Sequence, residues 1–86
     1  MIKIWHDTAW NDYLSWQAKN KKMVGKINKL LKEIERSGYK CIGKPEPLKN
    51  ELSGKWSVRI DDEHRIVFKI ENGQLIIYSC KGHYKK

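Results

Sequence analysis

Three short runs near the end of the chain, in which apolar and polar residues alternate, constrain the fold more than any other feature. They cover residues 56–60, 64–70 and 74–80, and the turn formers Asp61-Asp62 and Asn72-Gly73 separate them. Alternation with a period of two is typical of half-buried strands, and Asn-Gly favours a two-residue hairpin turn. The sequence therefore predicts an antiparallel meander.

The loop lengths also predict the register of this meander. A two-residue loop at Asn72-Gly73 defines three facing pairs, namely Ile70 with Leu75, Phe68 with Ile77, and Arg65 with Cys80. A three-residue loop at 61–63 then collects the apolar side chains on one face: Trp56, Val58, Ile60, Ile66, Phe68, Ile70, Leu75 and Ile77. A two-residue loop there would place Ile60 beside Arg65 and mix the faces. We therefore expect Arg59 and Arg65 side by side on the opposite face.

Two helices are predicted before the meander. Residues 2–5 alternate as a short first strand, and Asp7 or Thr8 is a suitable N-cap for a helix whose aromatic residues, Trp10, Tyr13 and Trp16, we expect in the core together with Leu14. Asn20 can cap a second helix, which has an apolar stripe and a row of lysines and ends at Ser37-Gly38. Residues 39–55 read as an ordered loop. The prediction is a single α+β domain over residues 1–86, with two N-terminal helices packed on a small, mainly antiparallel sheet.

Composition narrows the class of partner and compartment. The 86 residues carry a formal charge of +8, which attracts polyanions, so nucleic acid is the first partner to consider, although lysines also serve solubility alone. The two cysteines, Cys41 and Cys80, lack metal-ligand spacing and are interpreted as free thiols in a reducing cytosol. No apolar run long enough for a membrane span or a signal peptide occurs. We expect a soluble cytoplasmic protein.

The candidate chemistry is acid–base chemistry without a metal or cofactor. The sequence has no glycine-rich phosphate loop, HExxH motif, CxxC pair or serine elbow. RNA cleavage by the ribose 2′-OH requires a base, an acid and a cation. Glu46, between two prolines, together with Arg65, His83 and Tyr84 could supply these groups. Taken singly, each is most often an ordinary surface residue. Their combination is what points to a ribonuclease.

Several short sequence motifs, spread along nearly the whole chain, resemble those of one known family, the YoeB/Txe toxins of the RelE superfamily. They are Tyr13-Leu14-Ser15-Trp16, Lys26-Ile27-Asn28-Lys29-Leu30, Gly43-Lys44-Pro45-Glu46-Pro47-Leu48-Lys49, Leu52-Ser53-Gly54-Lys55-Trp56-Ser57, Glu63-His64-Arg65-Ile66-Val67 and the terminal His83-Tyr84. The resemblance implies a RelE-like fold, which agrees with the elements predicted above. It also implies a toxin that cuts messenger RNA on the ribosome.

The resemblance assigns roles residue by residue. Glu46 would be the general base, Arg65 the transition-state cation, His83 the general acid and Tyr84 the group that orients the substrate. Four further cations are expected to touch phosphates: Lys44, Lys49, Arg59 and Lys81. The implied partners are the ribosome with its messenger RNA and a YefM-like antitoxin, with operator DNA bound only through the antitoxin complex. The oligomeric state stays open, a homodimer included.

The chain departs from the family pattern at four places. Val58 and Lys81 stand where relatives often have arginine, Gly82 stands where an aromatic residue can occur, and Lys85-Lys86 extend past the usual terminal tyrosine. Two other functions remain as alternatives. One is a catalytically inactive RelE-like module that binds RNA, the ribosome or an antitoxin. The other is an independent DNA-binding regulator, which the lack of helix-turn-helix spacing in the lysine-rich helix disfavours.

Overall fold

The computed structural model describes residues 1–82, and the predicted site residues His83 and Tyr84 lie outside this range. Two helices and five strands follow one another in the order β1 (Ile2–Trp5), α1 (Asp7–Lys19), α2 (Lys21–Ser37), β2 (Glu46–Pro47), β3 (Trp56–Arg59), β4 (Arg65–Glu71) and β5 (Gln74–Ser79). Two 3-10 turns, Gly38–Lys40 and Asn50–Leu52, lie in the segment between α2 and β3. The α+β class and the order of the predicted elements are confirmed.

The five strands form one sheet in the order β1-β5-β4-β3-β2. The meander β3-β4-β5 and the short β2 pair antiparallel, and β1 adds to β5 in parallel. The predicted register of the first hairpin is confirmed, because Val58 faces Ile66 and Arg59 faces Arg65. Side chains of directly facing residues lie on the same side of a sheet. The two arginines therefore share one face.

The second hairpin departs from the predicted register at its open end. Ile70 faces Leu75 and Phe68 faces Ile77, as expected, but Val67 faces Ser79 because a bulge intervenes between Val67 and Phe68. The predicted pairing of Arg65 with Cys80 is therefore wrong. One extra residue on β5 shifts the register beyond the bulge, and the backbone N–H of Arg65 donates to the carbonyl of Gly82 instead.

The core lies between the helices and one face of the sheet. A row of side chains crosses this face from β3 to β1, consisting of Trp56, Phe68, Ile77 and Trp5. Helix α2 contributes its predicted apolar stripe, in which Met23, Ile27, Leu30, Leu31 and Ile34 are buried. Asn20 caps α2 as predicted, since its side chain accepts from the backbone N–H groups of Lys22 and Met23. Val58 is fully buried, so this departure from the family pattern lies in the core.

Helix α1 differs from the prediction in two respects. Its N-cap is His6, which makes no side-chain capping bond, and Asp7 is already the first helical residue. Trp16 is buried, whereas Trp10 and Leu14 are 44% and 42% exposed. Trp10 instead packs at the edge of the core, with its ring 5.8 Å from Trp5 and 6.0 Å from Tyr13. None of the helices within residues 1–82 is both long and apolar enough to cross a membrane.

Candidate active site

The face of the sheet that turns away from the helices carries the candidate catalytic groups. Glu46 faces Ser57, Ser57 faces Val67 and Val67 faces Ser79, so one row crosses four strands on this open face. Arg59 and Arg65 form the next row, two residues further along β3. Ser57 and Val67 are buried in the middle of the face. The carboxylate of Glu46 and two guanidinium groups therefore flank the buried, uncharged side chains of Ser57 and Val67, which we call the floor of the site.

The loop before β2 brings Glu46 into this row. Gly43 has a φ of 94°, and a Cβ there would lie 3.1 Å from Leu30 and 3.3 Å from both the Arg59 carbonyl and Val58, tighter than almost all real contacts. This close approach lets the Gly43 carbonyl accept from the Arg59 N–H at 2.8 Å. Pro45 and Pro47 then restrict the backbone around Glu46. Pro47 is tolerated because β2 is an edge strand.

The register sets the separation of Glu46 and Arg65. They lie two strands apart across the sheet and two residues apart along it. With strands about 4.8 Å apart and a rise of about 3.3 Å per residue, their Cα atoms are about 12 Å apart. Long side chains from such positions can converge on one phosphodiester lying between them.

Arg65 is less exposed than the register alone suggests. Only 9% of its surface is accessible. Its Nη1 donates to the carbonyls of Asp61 at 3.0 Å, His64 at 3.2 Å and Asp62 at 3.5 Å. The guanidinium thus holds the loop between β3 and β4 from the open face. All three bonds use Nη1, so the contact with the loop is made along one side of the guanidinium.

The other predicted cations lie at two places. Lys44, Lys49 and Arg59 are exposed around β2 and the end of β3, on the side of Glu46. Lys81 lies elsewhere, because its Nζ donates to Ser15 Oγ at 3.2 Å and lies 5.2 Å from the ring of Trp16 on α1. Three of the four cations are therefore exposed close to Glu46 in the chain or on the neighbouring strand, and Lys81 lies against helix α1.

The backbone just before the predicted acid lies beside Arg65. The Arg65 N–H donates to the Gly82 carbonyl at 3.1 Å, and Gly82 directly precedes His83 in the chain. His64 accepts from the Gly82 N–H through Nδ1 at 2.8 Å. The sequence offered no local signal for this contact of His64. The contact joins residues 18 positions apart, so no local pattern could reveal it, and in the sequence analysis His64 is named only as part of a family motif.

Two further groups near the site have perturbed pKa values. Burial opposes ionisation of Asp61, but the N–H groups of His64 and Glu63 bond to its carboxylate and hold its pKa below the ordinary value. Burial, with the nearby Asp12 carboxylate, raises the pKa of the Cys80 thiol to about 12. Asp61 is thus a stable anion that orders the loop, and Cys80 is an inert thiol. Cys41 and Cys80 are both free and buried, in agreement with the sequence prediction.

Tyr78 is an aromatic residue near the site that the sequence analysis did not single out. Its ring lies 4.5 Å from that of His6, and the Lys55 Nζ lies 4.2 Å from its centroid. Tyr78 is the extra residue of the β5 bulge, between the pair Phe68–Ile77 and the pair Val67–Ser79. Within residues 1–82, no group of three or more histidine, cysteine, aspartate or glutamate side chains could hold a metal ion.

Comparison with known proteins adds an independent finding. A family model described as a YoeB-like toxin of bacterial type II toxin–antitoxin systems matches residues 5–84. Toxin YoeB of Escherichia coli strain K12 is 48% identical over 84 residues, covering 98% of this chain and 100% of that protein.

Solved structures agree with this match. A YoeB/ParE toxin from Agrobacterium tumefaciens superposes with a TM-score of 0.94 at 40% identity, over 98% of this chain and 100% of that one. A chain of the YoeB-YefM complex from Staphylococcus aureus superposes with a TM-score of 0.90 at 47% identity, over 98% of both chains.

Proposed function

Because the chain belongs to the YoeB-like toxins of bacterial type II toxin–antitoxin systems, we propose that it is an endoribonuclease that cuts translated messenger RNA on the ribosome. The observation that carries the proposal is the strand register on the open face. It sets Glu46 on one side of a buried floor and the facing pair Arg59 and Arg65 on the other. A base and two cations whose side chains can reach one phosphodiester from opposite sides suit a cut by the ribose 2′-OH.

The proposed roles follow from what each group can do. Glu46 takes the 2′ proton, and Arg65 stabilises the charge that builds up on phosphorus in the transition state. Its Nη1 is occupied by loop carbonyls, so Nε and Nη2 are the atoms assigned to the phosphate. His83 protonates the leaving 5′ oxygen and Tyr84 orients the substrate, roles that the family resemblance assigns to these two residues. The reaction in this form needs no metal or cofactor.

The basic surface is proposed to bind the ribosomal complex. Lys44, Lys49 and Arg59 are exposed next to Glu46, where they would contact phosphates of the messenger or of ribosomal RNA. Lys81 is assigned the same task, which would require its ammonium group to leave Ser15. A net charge of +8 supports this assignment, since phosphate contacts dominate nucleic-acid affinity.

An acidic antitoxin is the proposed cellular inhibitor. The Staphylococcus aureus relative was solved as a complex with YefM. We propose that a YefM-like partner of this chain lays a carboxylate-rich segment over Arg59 and Arg65 and so blocks RNA binding. Operator DNA would be contacted only through that complex. A purified complex that cut messenger as fast as the free toxin would contradict inhibition by coverage.

The test is to determine the chemical groups at the ends of the RNA fragments that the protein produces in a reconstituted translation system. If the 2′-OH attacks, the upstream fragment carries a 2′,3′-cyclic phosphate and the downstream fragment a 5′-hydroxyl. A 2′-deoxy nucleotide at the scissile position should block the cut. His83→Ala should slow it by roughly 10²–10⁴-fold with ribosome binding retained.

Two results would overturn the proposal. Fragments with 5′-phosphate ends would mean that water attacks, and the roles of Glu46 and His83 would be wrong. No cleavage by the wild-type protein, with ribosome binding intact, would instead favour the catalytically inactive binding module.

A further inference from the structure

The backbone of Cys80 and Gly82 is held by four hydrogen bonds, although both residues follow the last strand. The Cys80 N–H donates to Asp12 Oδ2 at 3.0 Å, Trp16 Nε1 donates to the Cys80 carbonyl at 2.9 Å, the Gly82 N–H donates to His64 Nδ1 at 2.8 Å, and the Arg65 N–H donates to the Gly82 carbonyl at 3.1 Å. Strand β5 itself ends at Ser79. Chain ends that are not tied down usually fray. Here helix α1 and the β3–β4 loop hold the chain.

Three of these bonds are made by side chains, and we call those side chains, Asp12, Trp16 and His64, the C-terminal clamp. They act together, because the His64 ring packs edge-on against Trp16 with centroids 4.8 Å apart. Trp16 is buried at 7% exposure and Cys80 is fully buried, so water competes weakly for these bonds.

The clamp is itself anchored by the β3–β4 loop. The Asp61 carboxylate accepts from the His64 backbone N–H at 2.7 Å. The Arg65 guanidinium donates to the backbone carbonyls of Asp61 and His64. His64 accepts through Nδ1, so this nitrogen carries no hydrogen and the ring hydrogen lies on Nε2, 3.6 Å from Glu63 Oε1. The loop thus fixes the position of His64, and the bond from the Gly82 N–H fixes its tautomer.

The backbone of Gly82 is restrained by its conformation and by its hydrogen bonds. Its φ is 75°, a conformation that favours glycine, while a Cβ there would meet nothing within 4 Å. Backbone conformation, not lack of space, therefore explains glycine at this position. With its N–H and its carbonyl both bonded, Gly82 has little freedom to rotate. The next residue is His83.

We propose that Asp12, Trp16 and His64 are positioning residues that align the general acid His83 with the scissile phosphate. The inference rests on the proposed function, because it assigns these residues to the same reaction. Proton transfer demands close geometry, and a misplacement of about 1 Å can cost on the order of 10²-fold in rate. None of the three touches the substrate in this scheme.

The first experiment compares two substitutions of His64 with a matched control. His64→Leu removes the acceptor, whereas His64→Asn keeps one, because Asn Oδ1 lies as many bonds from Cβ as His Nδ1. The control is Tyr39→Phe, which deletes a hydroxyl that bonds to the Ile70 backbone at 2.8 Å, far from Cys80. Single-turnover cleavage on saturating ribosomes should fall by about 10–10²-fold in His64→Leu and stay within about 3-fold in the other two.

A double-mutant cycle separates positioning from a merely structural role. If His64 acts through His83, then adding His64→Leu to His83→Ala should change the residual rate by less than about 2-fold. Ribosome binding should be the same in all four proteins. A further loss of about 10-fold in the His83→Ala background would overturn the proposal, since His64 would then act independently of the acid.

Amide hydrogen exchange tests the clamp without reference to catalysis. Under native conditions the Gly82 amide should exchange about 10-fold faster in His64→Leu than in wild type, and the Cys80 amide should remain protected. Trp16→Phe, which removes the donor to Cys80 and part of the buried ring, provides a second variant and should raise exchange at residues 80–82. Unchanged Gly82 exchange in His64→Leu would overturn the clamp while wild-type cleavage stood. A wild-type protein that cleaves nothing would overturn the proposed function, and the catalytic purpose of the clamp with it.

Discussion

Replacing Arg65 with alanine should destabilise the fold as well as affect any activity. The guanidinium is 9% exposed, and its Nη1 bonds to the loop carbonyls of Asp61, His64 and Asp62. A nitrogen with two hydrogens makes two good bonds, which we assign to the shorter contacts at 3.0 Å and 3.2 Å. Hydrogen bonds to a charged group contribute about 1.5–3 kcal/mol each. The lower value applies, because the loop carbonyls can regain water.

Two such bonds give a loss of about 3 kcal/mol in the free energy of unfolding. A chain of this size is stable by only about 4–13 kcal/mol. The midpoint of thermal unfolding should fall by about 12–24 °C, at about 4–8 °C per kcal/mol for a domain this small. A loss of cleavage by Arg65→Ala therefore has to be measured where the variant is still folded.

Urea unfolding followed by tryptophan fluorescence is the appropriate assay, and Arg59→Ala is the matched control. Arg59 is the same residue type on the same face and directly faces Arg65, but it is exposed. Its replacement should change stability by no more than about 0.5 kcal/mol. If Arg65→Ala were as stable as Arg59→Ala, the structural role inferred from the Nη1 contacts would be wrong.

Three further predictions concern charge and reactivity. The pKa of Asp61 is lowered in the folded state, so the ionised carboxylate stabilises the fold above the unfolded pKa of about 3.9, and this contribution is lost as pH falls through the folded pKa. The difference in unfolding free energy between wild type and Asp61→Asn should therefore narrow below about pH 4, and a constant difference would contradict this. The Cys80 thiol, with its pKa near 12, should resist iodoacetamide at neutral pH until urea unfolds the chain, whereas rapid labelling of the native protein would disprove its burial. Replacing Lys44 and Lys49 with glutamine should reduce the salt dependence of ribosome binding by roughly 1–2 units of log–log slope, and an unaltered slope would remove these lysines from the interface.

Local patterns in the sequence were sufficient for the two helices, for strands β1, β3, β4 and β5, and for most of the register. They did not predict strand β2, which lies within the segment predicted as an ordered loop. Strand alternation assigns each residue to a face by parity, which is why Val58 is correctly predicted in the core and Arg59 beside Arg65. Asn20 caps α2 through bonds to residues two and three positions away, a signal carried by the sequence itself. The candidate positions of Glu46 and Arg65 followed from the same patterns together with the family resemblance.

Tertiary structure alone determined which of these groups contact one another. The bulge on β5 lies in its pairing with β4, just beyond the stretch that pairs with β1, and it moved Cys80 out of its predicted pairing with Arg65. The bonds from Asp12 and Trp16 to Cys80 join residues 68 and 64 positions apart. Periodicity reports which face a side chain occupies, but it carries no information about which distant backbone group lies within hydrogen-bonding distance. The anchoring of the chain just before His83 is therefore a property of the folded molecule.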